Sequence, residues 1–235
     1  MEATTADHRR WGLGDVVLGF ALGQALAIVA TAVALGVGGW SADGIPLWAG
    51  AVLQIPLWAG WIVAVVLAGR KGDGVGRDFG VAARWTDVPL GLGLGVAMQV
   101  VVVPLVYFPL LRLLDLSTDD LSAPARELSD KAQGTWGWIL LALIVVIGAP
   151  LAEELFYRGL LLQSLRKRGM SDTVACLVSG AVFGAVHFQL LQFLGLFLLG
   201  TLLAALVVRT GRLGPAVVTH AAFNAATVVI LYLGR

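Results

Sequence analysis

Six side chains that could do chemistry stand in the last hundred residues of an otherwise apolar 235-residue chain. Glu153, Glu154 and Arg158 lie in "PLAEELFYRG", directly after the run "WGWILLALIVVIGA". His187 lies in "FGAVHF", and His220 and Asn224 lie in "THAAFN". Ionisable groups within a bilayer cost several kcal/mol unless paired or hydrated, so they mark a functional site by default. A carboxylate beside a histidine, partly dehydrated, can take a proton from water. A histidine and an amide on one helix face can donate hydrogen bonds to a developing oxyanion. Together these are the parts of a hydrolase working through activated water, with Glu153 as the candidate acid/base. No covalent nucleophile stands out. Cys176, the single cysteine, has no basic neighbour in sequence, and G-x-S-x-G is absent.

Glu153, His187 and His220 also have the makeup of a two-His, one-carboxylate zinc site. H-E-x-x-H is absent, however, and the ligands would come from three helices. A metal-bound water and a water held by Glu and His both stay open. If Glu153 bound a divalent metal it would be less available as a base, and Glu154 would take a larger part. The bland alternative is a buried ion-pair network that only fixes helix packing. Glu154 with Arg158 alone suits it equally well. Two imidazoles, a carboxylate and an amide on three helices do not, because burying them for packing is expensive.

Spacing and depth support a single site. Glu154 and Arg158 are i, i+4 with the acid N-terminal, the favourable order, and His220 and Asn224 are i, i+4 as well. Glu153 points about 100° away from Glu154, so one glutamate can pair with Arg158 while the other faces a cavity. Counted from the basic turn "RKRGMSD", Glu153 is ~20 Å deep and His187 ~22 Å. Counted from Arg212, His220 is ~12 Å deep and Asn224 ~18 Å. All fall in the middle of a hydrocarbon core about 30 Å thick. Pro150 cannot continue the hydrogen-bond ladder and should kink its helix just above the pair. Nothing comparable marks the second, third and sixth spans, and the first carries only Asp15 near its inner end.

The elements that must position these groups are transmembrane helices. The chain is 58% hydrophobic and 13% charged, against roughly 25% charged in soluble domains. A net charge of +1 gives no support for a nucleic-acid partner. Eight Trp suit two water–lipid boundaries. The expected fold is an all-α polytopic bundle of about seven spans, at 12–38, 47–69, 88–113, 136–157, 173–189, 191–208 and 213–233. The first is too long for a signal-peptide core and is read as a helix that stays. The fifth and sixth share one long apolar block, with Gln189 and Gln192 marking the turn. Residues 1–135 form three helices with an acidic outer loop, in which "PARELSDKA" suits a short surface helix with Pro in its first turn. Residues 136–235 form the helical core carrying the motifs, the two parts making one integrated membrane domain. Small-xxx-small pairs, Gly91 with Gly95 and Gly180 with Gly184, should let helices approach closely. The repeated "IPLWAG" at 45–50 and 55–60 does not share a helix face and is read as a local duplication.

Loop charge sets the orientation. With a cytoplasmic N-terminus, the inner segments carry Arg9, Arg10, Arg70, Lys71, Arg77, Arg84, Arg166, Lys167, Arg168, Arg209 and Arg212, and the outer ones only Arg126, Lys131 and Arg235.

"EELFYR" (153–158), "FGAVH" (183–187) and "HAAFN" (220–224) resemble E-E-x-x-x-R, F-x-x-x-H and H-x-x-x-N, the three motifs of the CPBP family of intramembrane proteases. That family includes CAAX-prenyl endopeptidases and bacteriocin-processing enzymes. The resemblance covers about 136–235. It implies that Glu153 and His187 hold and activate the water, that His220 and Asn224 stabilise the oxyanion or complete a metal site, and that Glu154, Arg158 and Phe183 support them. It also implies an endopeptidase acting on a membrane-associated peptide or protein, lipidated or a leader peptide, in contact with membrane lipid and reached from the cytoplasmic side. The excess of Arg over Lys, with abundant Ala, Gly and Val, points to a GC-rich bacterium and its cytoplasmic membrane. Two other classes remain for comparison. A non-catalytic scaffold or bacteriocin-immunity protein of the same fold has no need of the full Glu/His/His/Asn set. A proton-coupled transporter could use Glu and His, but no inverted repeat or paired broken helices are visible.

Overall fold

The computed structural model describes residues 9–235; the first eight, part of the 1–135 segment above, lie outside the described residues. The helices are α1 Leu13–Gly38, α2 Leu47–Gly69, α3 Asp87–Leu113, α4 Thr118–Asp130, α5 Gly134–Lys167, α6 Asp172–Ala185, α7 Phe193–Thr210 and α8 Gly214–Leu233. A single helical turn, Val75–Asp78, lies between α2 and α3. No strand occurs among the described residues. The polytopic helical bundle expected from composition is the fold observed.

Six of these helices are long and apolar enough to cross a membrane. The expected fifth span, 173–189, is instead the 14-residue α6. It ends because Val186 to Phe188 turn out of the helix, with Phe188 in the left-handed region at φ 54°. The 186–192 connection then leads into α7, as the two glutamines suggest. The fourth helix is longer than the 136–157 expected, running on through "QSLRK" to Lys167. The surface helix α4 begins well before "PARELSDKA", because Ser117 caps it: Asp120 N–H donates to Ser117 Oγ at 3.2 Å and Ser117 N–H to Asp120 Oδ2 at 2.8 Å. Hydrogen bonds from the Ser117 side chain and backbone hold the Asp120 carboxyl below its ordinary value. Pro124 therefore sits past the first turn, inside the helix.

The motif-bearing half of α5 is the centre of the bundle. Phe156, Tyr157, Leu160, Leu161, Leu162 and Leu165 are all buried. Trp61 of α2 stacks on Phe156 at 5.2 Å and meets Tyr157 edge-on at 5.4 Å. The small-residue pairs act as expected. A Cβ on Gly91 of α3 would fall 2.6 Å from Val218 Cβ of α8, and one on Gly180 of α6 would fall 2.8 Å from the Phe197 carbonyl of α7. Side chains there would push apart the helices that carry the histidines.

The bundle has two unlike ends. At the basic end, Arg212 Nη2 donates to Asp87 Oδ1 at 2.6 Å, while Leu213 and Gly214 N–H groups donate to the Gly80 and Ala82 carbonyls at 2.8 and 3.0 Å. That clasp ties the start of α3 to the start of α8. At the other end α4 lies across the bundle, tied to the 186–192 connection by Gln192 Nε2 donating to the Leu121 carbonyl at 2.8 Å.

Candidate active site

Two stretches of α5 leave the α-helical register. Leu143–Gly148 and Glu154–Leu161 are π-helical, a wider winding often found at functional sites. The first has a traceable consequence at Val145. Its carbonyl could accept from residue 149 or 150. The Ala149 N–H goes to Ile144 O, and residue 150 is proline, which has none to give. The orphaned Val145 carbonyl accepts instead from Asn224 Nδ2 of α8 at 2.6 Å. The gap that Pro150 leaves in the hydrogen-bond ladder is thus filled by Asn224.

Glu154 and Arg158 are fully buried and paired, Arg158 Nη1 donating to Glu154 Oε1 at 2.9 Å. Arg158 Nη2 also donates to the Gly200 carbonyl of α7 at 3.1 Å. Gly200 allows this approach, since a Cβ there would sit 3.2 Å from Nη2. The guanidinium lies 4.3 Å over the Phe183 ring, a geometry that stabilises a cation away from water. Phe183 is the packing hub of the site, with ring centroids 4.8 Å from His187, 5.6 Å from His220 and 5.6 Å from Tyr157.

His220 joins the motifs. Its Nδ1 lies 3.0 Å from Glu154 Oε1, and its Nε2 lies 3.9 Å from Glu153 Oε2. A carboxylate can only accept, so Nδ1 carries a proton. His187 is oriented likewise, with Nδ1 2.6 Å from the Phe183 carbonyl, which must also accept. That leaves its Nε2 to accept from another donor. His187 sits on the turn after α6 and not within the helix. Glu154 Oε2, Arg158 Nε and Tyr157 Oη have no hydrogen-bond partner among the described residues. A network kept only for packing would be expected to satisfy them.

Glu153 differs from its neighbour. Its side chain is 15% exposed and faces a cavity of about 420 Å³, which His187, His220, Phe183 and Asn224 also line. All the expected site residues are therefore drawn together, with Glu154 and Arg158 behind the cavity wall. Gln99, from a π-helical turn of α3, lines the cavity too. The signal it leaves in the sequence is a lone uncharged amide in "GVAMQVVVV".

The cavity runs from Glu153 to the α4 end, where Leu121, Ser122 and Ala125 cover it. Leu128 and Ile230, its exposed lining residues, are both at that end. Towards the basic end it is closed by the fully buried Tyr157, Arg158, Leu160 and Leu162. The basic end, the side the sequence reading takes as cytoplasmic and as the route of access, is therefore not where the packing opens the cavity. The expected metal set, Glu153, His187 and His220, does not fit this geometry. Among the described residues no group of three His, Cys, Asp or Glu side chains is arranged to hold a metal ion. Glu153 and His220 approach each other, but no third donor among the described residues completes a site.

Residues 135–226 match the family model described as type II CAAX prenyl endopeptidase Rce1-like. The match spans all three motifs and bears out the resemblance they carry. No curated protein and no solved structure matches the chain.

Proposed function

With residues 135–226 forming an Rce1-like domain, we propose that this integral membrane protein is an endopeptidase that hydrolyses a peptide bond of a membrane-anchored substrate with water activated by Glu153. The supporting observation is the division of labour between the two glutamates. Glu154 is locked in a buried pair with Arg158 and His220. Glu153 stands in the cavity, where water and a substrate can reach it.

The proposed reaction uses these positions. Water hydrogen-bonds to Glu153 and to His187 Nε2. Glu153 takes one proton as the water oxygen bonds to the carbonyl carbon. The resulting oxyanion receives a hydrogen bond from the second N–H of the Asn224 amide and lies beside His220, which the Glu154 carboxylate holds in place through Nδ1. Glu153 then gives the proton to the departing nitrogen, the C–N bond breaks, the second water proton passes by way of Glu153 from the new carboxyl group to the amine, and a carboxylate and an ammonium leave. The apolar lining, from Val103, Leu196, Leu199 and Phe223, keeps other water out and suits a substrate segment of lipid-like character. With the loop charges oriented by the positive-inside rule, the cavity mouth faces the non-cytoplasmic side of a bacterial cytoplasmic membrane.

The test uses wild type and Glu153→Gln in proteoliposomes with a library of lipid-anchored peptides, reading new termini. Cleavage by wild type alone is expected. Equal cleavage by both removes Glu153 from the role of base. A cellular effect that survives Glu153→Gln in full would favour the non-catalytic scaffold.

A further inference from the structure

Gln99 is a cavity residue that the reaction above does not use and whose chemistry asks for a partner; Gln189, the other such amide, lies on the connection after α6, whereas Gln99 is held within a helix. It is half-buried in the π-helical turn Met98–Val102, midway along a transmembrane helix. Its amide has no hydrogen-bond partner among the described residues. In a bilayer such a group costs several kcal/mol unless something in the cavity pairs with it. Its placement is fixed from below. Gly91 and Gly95, one to two turns earlier on α3, pack on the α8 backbone at Val218 to Phe223, around His220 itself. Met98 is buried beside it. By helical rise Gln99 is ~18 Å from Asp87 at the basic end, the level already assigned to Glu153 and Asn224.

A side-chain amide is a poor acid and a poor base, and the oxyanion already has its donor in Asn224 and His220 beside it. It has one carbonyl and one NH₂, the same pair of functions as a peptide bond. A chain threaded from the cavity mouth to Glu153 is extended, with its N–H and C=O groups unpaired in an apolar tunnel, and it needs such a partner. We propose that Gln99 is a substrate-positioning residue, pairing through its side-chain amide with a backbone amide of the peptide beside the scissile bond. The inference rests on the endopeptidase reading. The π turn supports it, since an added residue in the turn re-aims the side chain while the glycine contacts below stay fixed.

The experiment takes a lipid-anchored peptide that wild type cleaves and Glu153→Gln does not. Analogues are made in which each backbone amide near the cleaved bond is replaced, one at a time, by an ester, which removes an N–H and weakens a carbonyl acceptor. Gln99→Leu, close in volume, should lower kcat/KM about tenfold, chiefly through KM, with an unchanged melting temperature; the loss of one hydrogen bond in a dry site is of this order. One ester position should cost wild type a similar factor and cost Gln99→Leu nothing further. Wild-type kinetics in Gln99→Leu, or the same ester penalties in both proteins, overturns the assignment. Gln99→Met repeats the measurement if the leucine variant melts early. A wild type that cleaves no peptide, or a Glu153→Gln variant that cleaves as well as wild type, overturns the endopeptidase reading and this inference with it.

Discussion

Glu154 and His220, on different helices and 66 residues apart in sequence, are joined by a 3.0 Å contact between a fully buried carboxylate oxygen and Nδ1. The same oxygen receives Arg158 at 2.9 Å. One atom therefore sets the tautomer of a histidine, neutralises a buried cation and links α5 to α8.

The two adjacent glutamates should fail differently. Glu154→Gln leaves the Arg158 charge buried without its counter-charge, and breaking one side of a buried pair costs about 3 kcal/mol or more. Thermal unfolding in detergent should show a large fall in midpoint, with activity lost as a consequence. Glu153→Gln touches a partly exposed group and should stay within about 1 kcal/mol of wild type, while abolishing cleavage. Two variants with equal melting temperatures would contradict the separation of roles.

Asn224 should couple to Pro150. Asn224→Ala leaves the Val145 carbonyl unsatisfied, a cost of about 1–3 kcal/mol. Pro150→Ala would supply an N–H within α5, so the same Asn224→Ala change should cost less in that background. A double-mutant cycle on unfolding free energy reads this directly. Additive costs would mean that the carbonyl is not what Asn224 serves.

The cavity mouth should be reachable from one side only. In a Cys176→Ala background, Leu128→Cys should react with a membrane-impermeant maleimide applied to the non-cytoplasmic face of oriented vesicles, and bulky adducts there should slow cleavage. Labelling from the cytoplasmic face alone would invert the orientation read from loop charge.

Chelation should leave cleavage unchanged, since the donors do not form a three-ligand group. A loss reversed by zinc, followed as turnover and as bound metal per chain, would show that the helices move to bring His187 onto Glu153 and His220.

Much of the site was legible because charge in an apolar helix has few innocent explanations. The i, i+4 step from Glu154 to Arg158 and the shared face of His220 and Asn224 follow from helical geometry and are found as read. The end of α6 was hidden. "FGAVHFQ" contains no breaker after Gly184, and nothing in the letters announces the left-handed backbone of Phe188. The π-helical windings of α5 were hidden as well, because they depend on which carbonyls find partners on other helices. Pro150 signalled a break but not that Asn224 would mend it. The direction of the cavity depends on α4 lying over the bundle, where the Gln192 to Leu121 hydrogen bond and those from Arg235 to the Ser129 and Ala132 carbonyls hold it, and periodicity cannot show such long-range ties.

The shortness of α6 reaches beyond the protein. Fourteen helical residues rise ~21 Å, well under a hydrocarbon core of about 30 Å. The connection that follows, with Phe188 and Leu190 almost wholly exposed, therefore ends among acyl chains unless the leaflet thins to meet it. Such hydrophobic mismatch costs fractions of a kcal/mol per Å, and here it falls beside the histidine that would hold the water. Lipid chain length becomes a control on hydration of the site: short-chain bilayers bring the headgroups down to the 186–192 connection, and long-chain bilayers bury it.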